Sequence, residues 1–140
     1  MKNNTNYQHS ELTSEIIKSA YYVHDYLGFG FLESVYERAL EVRLLQQGYN
    51  VKRQYPIKVY FECEEVGDFK ADLIVNDLII VELKAVGNIH TKHEVQLVNY
   101  LKSTEIEVGL LINFGEELRV KRRVFSNNQK RKGNRIPGSF

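Results

Sequence analysis

The residues best suited to chemistry lie in two neighbouring apolar segments of the chain. Asp72 interrupts the first segment, and Glu82 and Lys84 interrupt the second. Burying an isolated carboxylate is costly unless a partner compensates for its charge. The two acids therefore indicate a bound cation, and Lys84 lies where it could reach a water held by that cation. In the alternative interpretation the acids form structural ion pairs with Lys70 and Lys84.

The spacing of the two acids makes a claim about strand pairing. Because side chains alternate along a strand, Glu82 and Lys84 point to one face. If Asp72 and Glu82 share a metal, they must lie opposite each other on adjacent antiparallel strands. A two-residue turn at residues 76–77 would put Glu82 on the wrong face. We therefore predict a loop with an odd number of residues, such as 76–78, or a bulge that restores the register.

The periodicity of apolar residues predicts the elements that position these side chains, in the order ααβββαββ. The helices are expected at residues 9–27, 31–47 and 91–102. The strands are expected at residues 51–63, 69–75, 78–83, 108–114 and 117–125. Ser10 is the expected N-cap of the first helix, and Gly48 the stop of the second. The order predicts an α/β (α+β) fold with a central mixed sheet flanked by helices, in which the third helix connects two parallel strands.

Length and composition are those of an ordinary globular chain. The 140 residues have room for one domain, which we expect to span residues 1–126, followed by a basic, flexible tail at 127–140. Cys63 is the only cysteine, which excludes an intramolecular disulfide and a cysteine-rich metal site. The sequence has no apolar run long enough to span a bilayer and no apolar signal core. We therefore expect a cytoplasmic protein without a membrane partner.

The charge is distributed unevenly along the chain. The net charge is +1, yet no acidic residue follows Glu117, so the preceding part carries all 18 acidic and 11 of the 19 basic residues, a net charge of −7. Basic blocks of this kind often contact phosphate backbones; the alternative is a solvated tail that balances an acidic body. The candidate nucleic-acid contacts are Arg119, Lys121, Arg122, Arg123, Lys130, Arg131 and Lys132, and Arg135 completes the basic block.

Three segments of the chain together resemble a known family. Asp72 followed by Glu82-Leu83-Lys84 resembles the Asp…Glu-x-Lys core of the PD-(D/E)xK nuclease superfamily. The sequence GFLESVY at 30–36 is similar to the GxxExxY signature of a family of small proteins within that superfamily. The sequence QLVNY at 96–100 is similar to the QxxxY motif of the exonuclease branch that includes lambda exonuclease. The resemblance covers roughly residues 11–119.

The resemblance implies a restriction-endonuclease-like core and a nuclease that depends on Mg²⁺ or Mn²⁺. Asp72, Glu82 and the Leu83 carbonyl would ligate the metal, because these hard cations prefer oxygen ligands. The metal would act as a Lewis acid on a phosphodiester and lower the pKa of a bound water. Lys84 would orient that water or stabilise the charge that develops on the phosphorus.

The resemblance also assigns roles on two helices. Glu33 would complete the metal shell directly or through water; its alternative role is that of a surface acid. Gln96 and Tyr100 form an i, i+4 pair suited to holding Lys84 or a phosphate oxygen, and their alternative is an ordinary helix surface.

The leading hypothesis is therefore a Mg²⁺-dependent nuclease that acts on DNA, with RNA as the less favoured substrate. The second hypothesis is a non-catalytic nucleic-acid- or protein-binding module that retains the nuclease fold. Because a small domain offers little surface beyond its cleft, a homodimer or a partner protein could select the substrate. The third hypothesis is a metal-dependent hydrolase of a small phosphorylated ligand.

Overall fold

The computed structural model of the chain describes residues 8–130 and has the predicted element order ααβββαββ. The helices are α1 (Ser10–Leu27), α2 (Glu33–Gln46) and α3 (Thr91–Lys102). The strands are β1 (Val51–Phe61), β2 (Glu64–Val75), β3 (Ile79–Lys84), β4 (Val108–Phe114) and β5 (Leu118–Val124). A short 3-10 helix, Asn127–Gln129, follows β5. Arg131, Lys132 and Arg135 lie outside the described residues.

The five strands form one mixed sheet in the order β1-β2-β3-β4-β5. Neighbouring strands are antiparallel except β3 and β4, which are parallel and joined through α3. This confirms the predicted crossover. Helices α1 and α2 cover one face of the sheet, and α3 covers the other, so the fold has three layers and two apolar clusters. Every residue of β4 is buried, as expected for a strand between two helical layers.

The helix ends follow local backbone chemistry. Helix α2 stops at Gly48, where the Gly48 N–H bonds the Leu45 carbonyl and the left-handed φ of 91° turns the chain so that Tyr49 N–H bonds the Leu44 carbonyl. The prediction for Gly48 is confirmed. The prediction that Ser10 is the N-cap of α1 is wrong: Ser10 is the first helical residue, and His9 precedes it without a side-chain cap bond.

The connection between β2 and β3 is the predicted three-residue loop. Val75 pairs with Ile79, so residues 76–78 form the loop. Asn76 and Asp77 adopt left-handed φ values of 53° and 56°, a conformation that Asn and Asp tolerate better than most residues. Continued one residue past its last pair, Leu73 with Val81, this register brings Asp72 opposite Glu82, as the sequence predicted.

The side chains of β2 change faces near Asp72. Leu73 and Val75 pack in the cluster beneath α1 and α2, whereas Ala71 packs in the cluster beneath α3. Phe69 lies against Tyr100 of α3, with ring centroids 6.0 Å apart. In a regular strand, residues 69 to 75 with odd numbers would share one face. The strand therefore switches faces between Ala71 and Leu73.

Strand β1 makes the same switch beside it. Val51 packs toward α1 and α2, whereas Ile57 packs toward α3. Between them Gln54 has a φ of 52° and is skipped in the β1–β2 ladder, although the register places it opposite Asp72. The two strands thus twist together at one position. The apolar periodicity of the two strands did not predict this switch.

Candidate active site

Asp72 and Glu82 are joined through backbone hydrogen bonds at the point where β2 and β3 separate. The β2–β3 ladder ends at Leu73 and Val81. Beyond it, Asp72 N–H donates to Glu82 Oε1 at 3.0 Å, and Leu83 N–H donates to Asp72 Oδ2 at 2.8 Å. The two carboxylates replace the backbone bonds that the ladder would have made. Each acid is therefore fixed by the other strand.

Lys84 and Glu33 complete the approach to this pair. Lys84 lies two residues beyond Glu82 on the same face of β3 and is half-buried. Glu33 is the first residue of α2 and is also half-buried. Burial raises the pKa of Glu33, against the lowering effect of the Lys84 charge. The structure thus brings Glu33, Lys84 and the two strand acids into one electrostatic neighbourhood.

The surroundings of the two strand acids, Asp72 and Glu82, disfavour their charged forms. Burial and the charge of Asp72 raise the pKa of Glu82, which is only 4% exposed. Burial and the charges of Glu37 and Glu33 raise the pKa of Asp72. The Lys84 charge lowers the pKa of both acids but does not outweigh these effects, and Arg53 pairs with Glu37. The site therefore favours additional positive charge.

Glu37 is a site acid that sequence reasoning missed. It lies one turn after Glu33 on α2, is 6% exposed, and accepts hydrogen bonds from Gln54 Nε2 at 2.9 Å and Arg53 at 3.3 Å. Its charge acts on Asp72. The i, i+4 spacing from Glu33 was the available signal, but an acid in an amphipathic helix resembles a surface residue until its neighbours are known.

Gln96 and Tyr100 contact each other on the α3 side of the site. Gln96 Nε2 donates to the Tyr100 hydroxyl at 3.0 Å. Burial and the charges of Glu82 and Asp72 raise the pKa of Tyr100 to about 12, so its hydroxyl stays protonated. The pair is thus part of the same electrostatic neighbourhood as the carboxylates.

The basic residues after Glu117 that the structure describes fall into two groups. Arg119 and Lys121 are exposed, and their pairing through Asn113 and Leu111 puts them on the same sheet face as Lys84 and Glu82. Arg119 also lies 2.7 Å from Glu117. Two strand spacings separate these rows, so about 10 Å lies between the backbones of β3 and β5.

The other basic residues after Glu117 that the structure describes are used within the fold. Arg122 donates to the Gln8 carbonyl, and Arg123 pairs with Glu94 of α3. Lys130 is 8% exposed and donates to the carbonyls of Thr104 and Ile106, each at 2.8 Å. Against the expectation of a phosphate contact, Lys130 thus points into the protein, because its Nζ donates to two carbonyls of the loop between α3 and β4.

The donor set fits a divalent cation of the magnesium type. In residues 8–130 no three His, Cys, Asp or Glu side chains are grouped as metal ligands. Mg²⁺ commonly uses only one or two protein carboxylates and completes its shell with water and substrate phosphates. Asp72 and Glu82 supply two, and Glu82 Oε2 accepts no hydrogen bond from the described part of the chain. The buried carboxylates at this site would stabilise such an ion electrostatically.

The mixed sheet with helices on both faces, and the acid, acid and lysine at the separation of β2 and β3, define a restriction-endonuclease-like domain. A family model described as PD-(D/E)XK nuclease superfamily matches residues 10–125. The chain belongs to this superfamily. Neither the curated proteins nor the solved structures contain a match. Among the described helices, none is long and apolar enough to cross a membrane.

Proposed function

We propose that this chain is a Mg²⁺- or Mn²⁺-dependent nuclease that hydrolyses phosphodiester bonds in DNA, with RNA as the less favoured substrate. The observation that carries the proposal is the register of β2 and β3. It aligns Asp72 with Glu82 and leaves Lys84 on the same face. Superfamily membership supports the nuclease class, since nucleases of this superfamily generally use divalent metals.

Asp72, Glu82 and the Leu83 carbonyl are the proposed ligands. A divalent cation bound there supplies Lewis acidity toward the phosphodiester and lowers the pKa of water. Leu83 N–H holds Asp72 in place, and Asp72 N–H holds Glu82. Both carboxylates are thus oriented before the metal arrives, so little reorganisation is needed.

Lys84 and Glu33 would handle the attacking water. Lys84 donates to that water or to the phosphorane oxygens, where its fixed charge stabilises the transition state. Glu33 lies within electrostatic range of Lys84 and accepts a hydrogen bond from the water. On the other side, the protonated Tyr100 hydroxyl, oriented by Gln96, donates to a phosphate oxygen.

The substrate would run across β4 toward β5. Arg119 and Lys121 are exposed on the face that carries Lys84, so they suit phosphates next to the scissile one. We propose that Arg131 and Lys132 add to this contact. Arg122 and Arg123 would contribute through their remaining N–H groups. Residues 1–126 would form the nuclease-like domain, with 127–140 as its basic extension, and a homodimer or partner protein would select the substrate.

We also propose that the chain belongs to the GxxExxY group of the superfamily. Gly30 has a φ of 108°, Glu33 lies within range of the Lys84 charge, and Tyr36 is buried. The Tyr36 hydroxyl donates to the Gly28 carbonyl at 2.6 Å and accepts from Phe31 N–H at 3.3 Å. The three signature residues would thus turn the chain, place an acid and fix the loop.

Cleavage assays with labelled single- and double-stranded DNA and RNA test the proposal. Wild type is compared with Asp72→Asn and Lys84→Ala in Mg²⁺ or Mn²⁺. Asp68→Asn and Lys70→Ala are matched controls, because both residues are exposed on the same strand as Asp72. Cleavage that needs the metal, falls at least about 100-fold in both site variants and survives in both controls is expected. Equal cleavage by wild type and Lys84→Ala would sink the catalytic assignment.

One observation favours the second candidate, a protein-binding module that retains the fold. A groove of about 660 Å³ between α1 and α2 is lined mainly by apolar residues, of which Tyr22, Tyr26, Val35 and Val42 are exposed. This groove includes neither Glu33 nor Glu37. Aromatic surfaces of this kind often serve partners. A chain without cleavage activity that still binds the metal would move this candidate ahead.

A further inference from the structure

Gln54 adopts a backbone conformation that its residue type disfavours. Its φ of 52° lies in the left-handed region, in the middle of β1, where non-glycine residues pay a steric penalty. It is exposed and lacks a ladder partner, although the register sets it opposite Asp72. Outliers of this kind persist when the surrounding structure imposes them, and they cluster at functional sites.

The Gln54 side chain links two carboxylates. Its Nε2 donates to Glu37 Oε1 at 2.9 Å and lies 3.4 Å from Asp72 Oδ1. Carboxylates accept and do not donate, so only the NH₂ end of the amide can serve both partners. The other Asp72 oxygen already accepts from Leu83 N–H at 2.8 Å. Gln54 and Leu83 thus hold the two Asp72 oxygens from opposite sides.

Glu37 gives the Gln54 amide a fixed anchor. It is 6% exposed, and Arg53 bridges it to Glu41 with contacts of 3.3 and 3.4 Å. The Gln54 amide is therefore attached to a buried, charge-compensated group on α2. This connection runs from α2 through β1 to Asp72 on β2.

We propose that Gln54 is a positioning residue, which uses Glu37 as its anchor to fix the Asp72 carboxylate for the divalent cation. The proposal rests on the proposed metal-dependent function of the same site. Partners that orient a metal ligand commonly affect metal affinity 10–100-fold when they are removed. The left-handed backbone of Gln54 is the local conformation that lets one amide reach both carboxylates.

A calorimetric measurement of Mn²⁺ binding to the full chain, in the absence of nucleic acid, tests the proposal. Gln54→Gly removes the amide but relieves the backbone, so we expect unfolding in urea at wild-type or higher stability together with about 10-fold or greater loss of Mn²⁺ affinity. If the role of Gln54 were purely structural, Gln54→Gly would lower the stability and leave the Mn²⁺ affinity unchanged. Glu62→Gly is the matched control: Glu62 is exposed with a φ of 48°, and Mn²⁺ affinity should not change.

Gln54→Asn is the second variant, because Asn tolerates the left-handed backbone but its shorter side chain cannot span the two carboxylates. It should lose Mn²⁺ affinity in the same way. Wild-type Mn²⁺ affinity in either folded variant would overturn the proposal. Absence of Mn²⁺ binding in the wild-type chain would instead remove the metal centre itself, so failure of the proposed function gives a different result from failure of this inference.

Discussion

At the scale of single residues, side chains in and near this site make the hydrogen bonds to backbone groups that other backbone groups make elsewhere. Asp72 and Glu82 accept the N–H groups that the β2–β3 ladder leaves unpaired. Tyr36 does the same for the loop before α2, where it bonds Gly28 and Phe31. Each of these side chains satisfies a backbone group and thereby acquires one orientation. The geometry of the site therefore depends on hydrogen bonds as well as on packing.

Tyr36→Phe tests this point away from the carboxylates. The ring stays stacked on Phe114, whose centroid is 4.6 Å away, so only the hydroxyl bonds are lost. We expect a loss of about 1 kcal/mol in the free energy of unfolding, because water can reach the exposed Gly28 carbonyl in its place. Tyr36→Ala should cost about 3–5 kcal/mol. Tyr26→Phe, at a position 79% exposed, is the control. If urea unfolding gives Tyr36→Phe the same free energy of unfolding as Tyr26→Phe, the hydrogen-bonding role of the Tyr36 hydroxyl is refuted.

At the scale of elements, the parity of one loop decides where the acids point. Apolar periodicity was enough to predict the type and order of the eight helices and strands in residues 8–130, because each of them carries a local apolar pattern. The three-residue loop was also predictable, since only an odd loop aligns Asp72 with Glu82. The face switch at Gln54 was not. It depends on a left-handed residue and on contacts with Glu37, which no local pattern in β1 encodes.

Deleting Leu78 tests whether the pairing of β2 with β3 or the length of the loop places the acids. The shortened loop would hold residues 76–77 and leave Val75 opposite Ile79, so Asp72 should stay opposite Glu82. Inserting two glycines after Asp77 lengthens the loop without changing that pairing and should cost only about 0.5 kcal/mol in the free energy of unfolding. We therefore expect both variants to fold and to keep the wild-type Mn²⁺ affinity. Urea unfolding and Mn²⁺ binding check both variants, and loss of Mn²⁺ affinity in a folded deletion variant would show that the loop itself sets the register.

At the scale of the whole molecule, both ends of the described chain are tied to the loop between α3 and β4. Glu107 accepts from Asn127 N–H at 2.6 Å and from Gln8 Nε2 at 2.8 Å. Lys130 is anchored at the same loop. The chain that follows β5 therefore starts from a fixed point on the α3 side. The acidic body and the basic end are joined by specific contacts as well as by overall charge.

The pH dependence of stability tests this junction. The hydrogen bonds from Asn127 and Gln8 lower the pKa of Glu107, so the folded protein binds that proton less readily than the unfolded chain does. Their contribution is present above the unfolded pKa and is lost as pH falls through the folded one. Glu107→Gln should thus cost about 1 kcal/mol at pH 7 and progressively less in acid. Urea unfolding at several pH values measures this, with the exposed Glu116→Gln as control. A difference that does not change with pH would exclude the carboxylate as its origin.

The salt dependence of nucleic-acid binding tests how the charge asymmetry is used. Binding to a labelled oligonucleotide, in a Lys84→Ala background that prevents cleavage, should weaken linearly in log Kd against log salt. Lys121→Gln should weaken binding to all sequences and reduce the salt slope by about 1, as loss of one phosphate contact requires. Lys18→Gln is the matched control, because this lysine is exposed on α1 and pairs with Glu15. Equal slopes for Lys121→Gln and the parent would move the phosphate path away from β5. A chain truncated after Lys130 then shows whether Arg131, Lys132 and Arg135 make the contact instead. The truncation keeps Lys130, which donates hydrogen bonds to the carbonyls of Thr104 and Ile106.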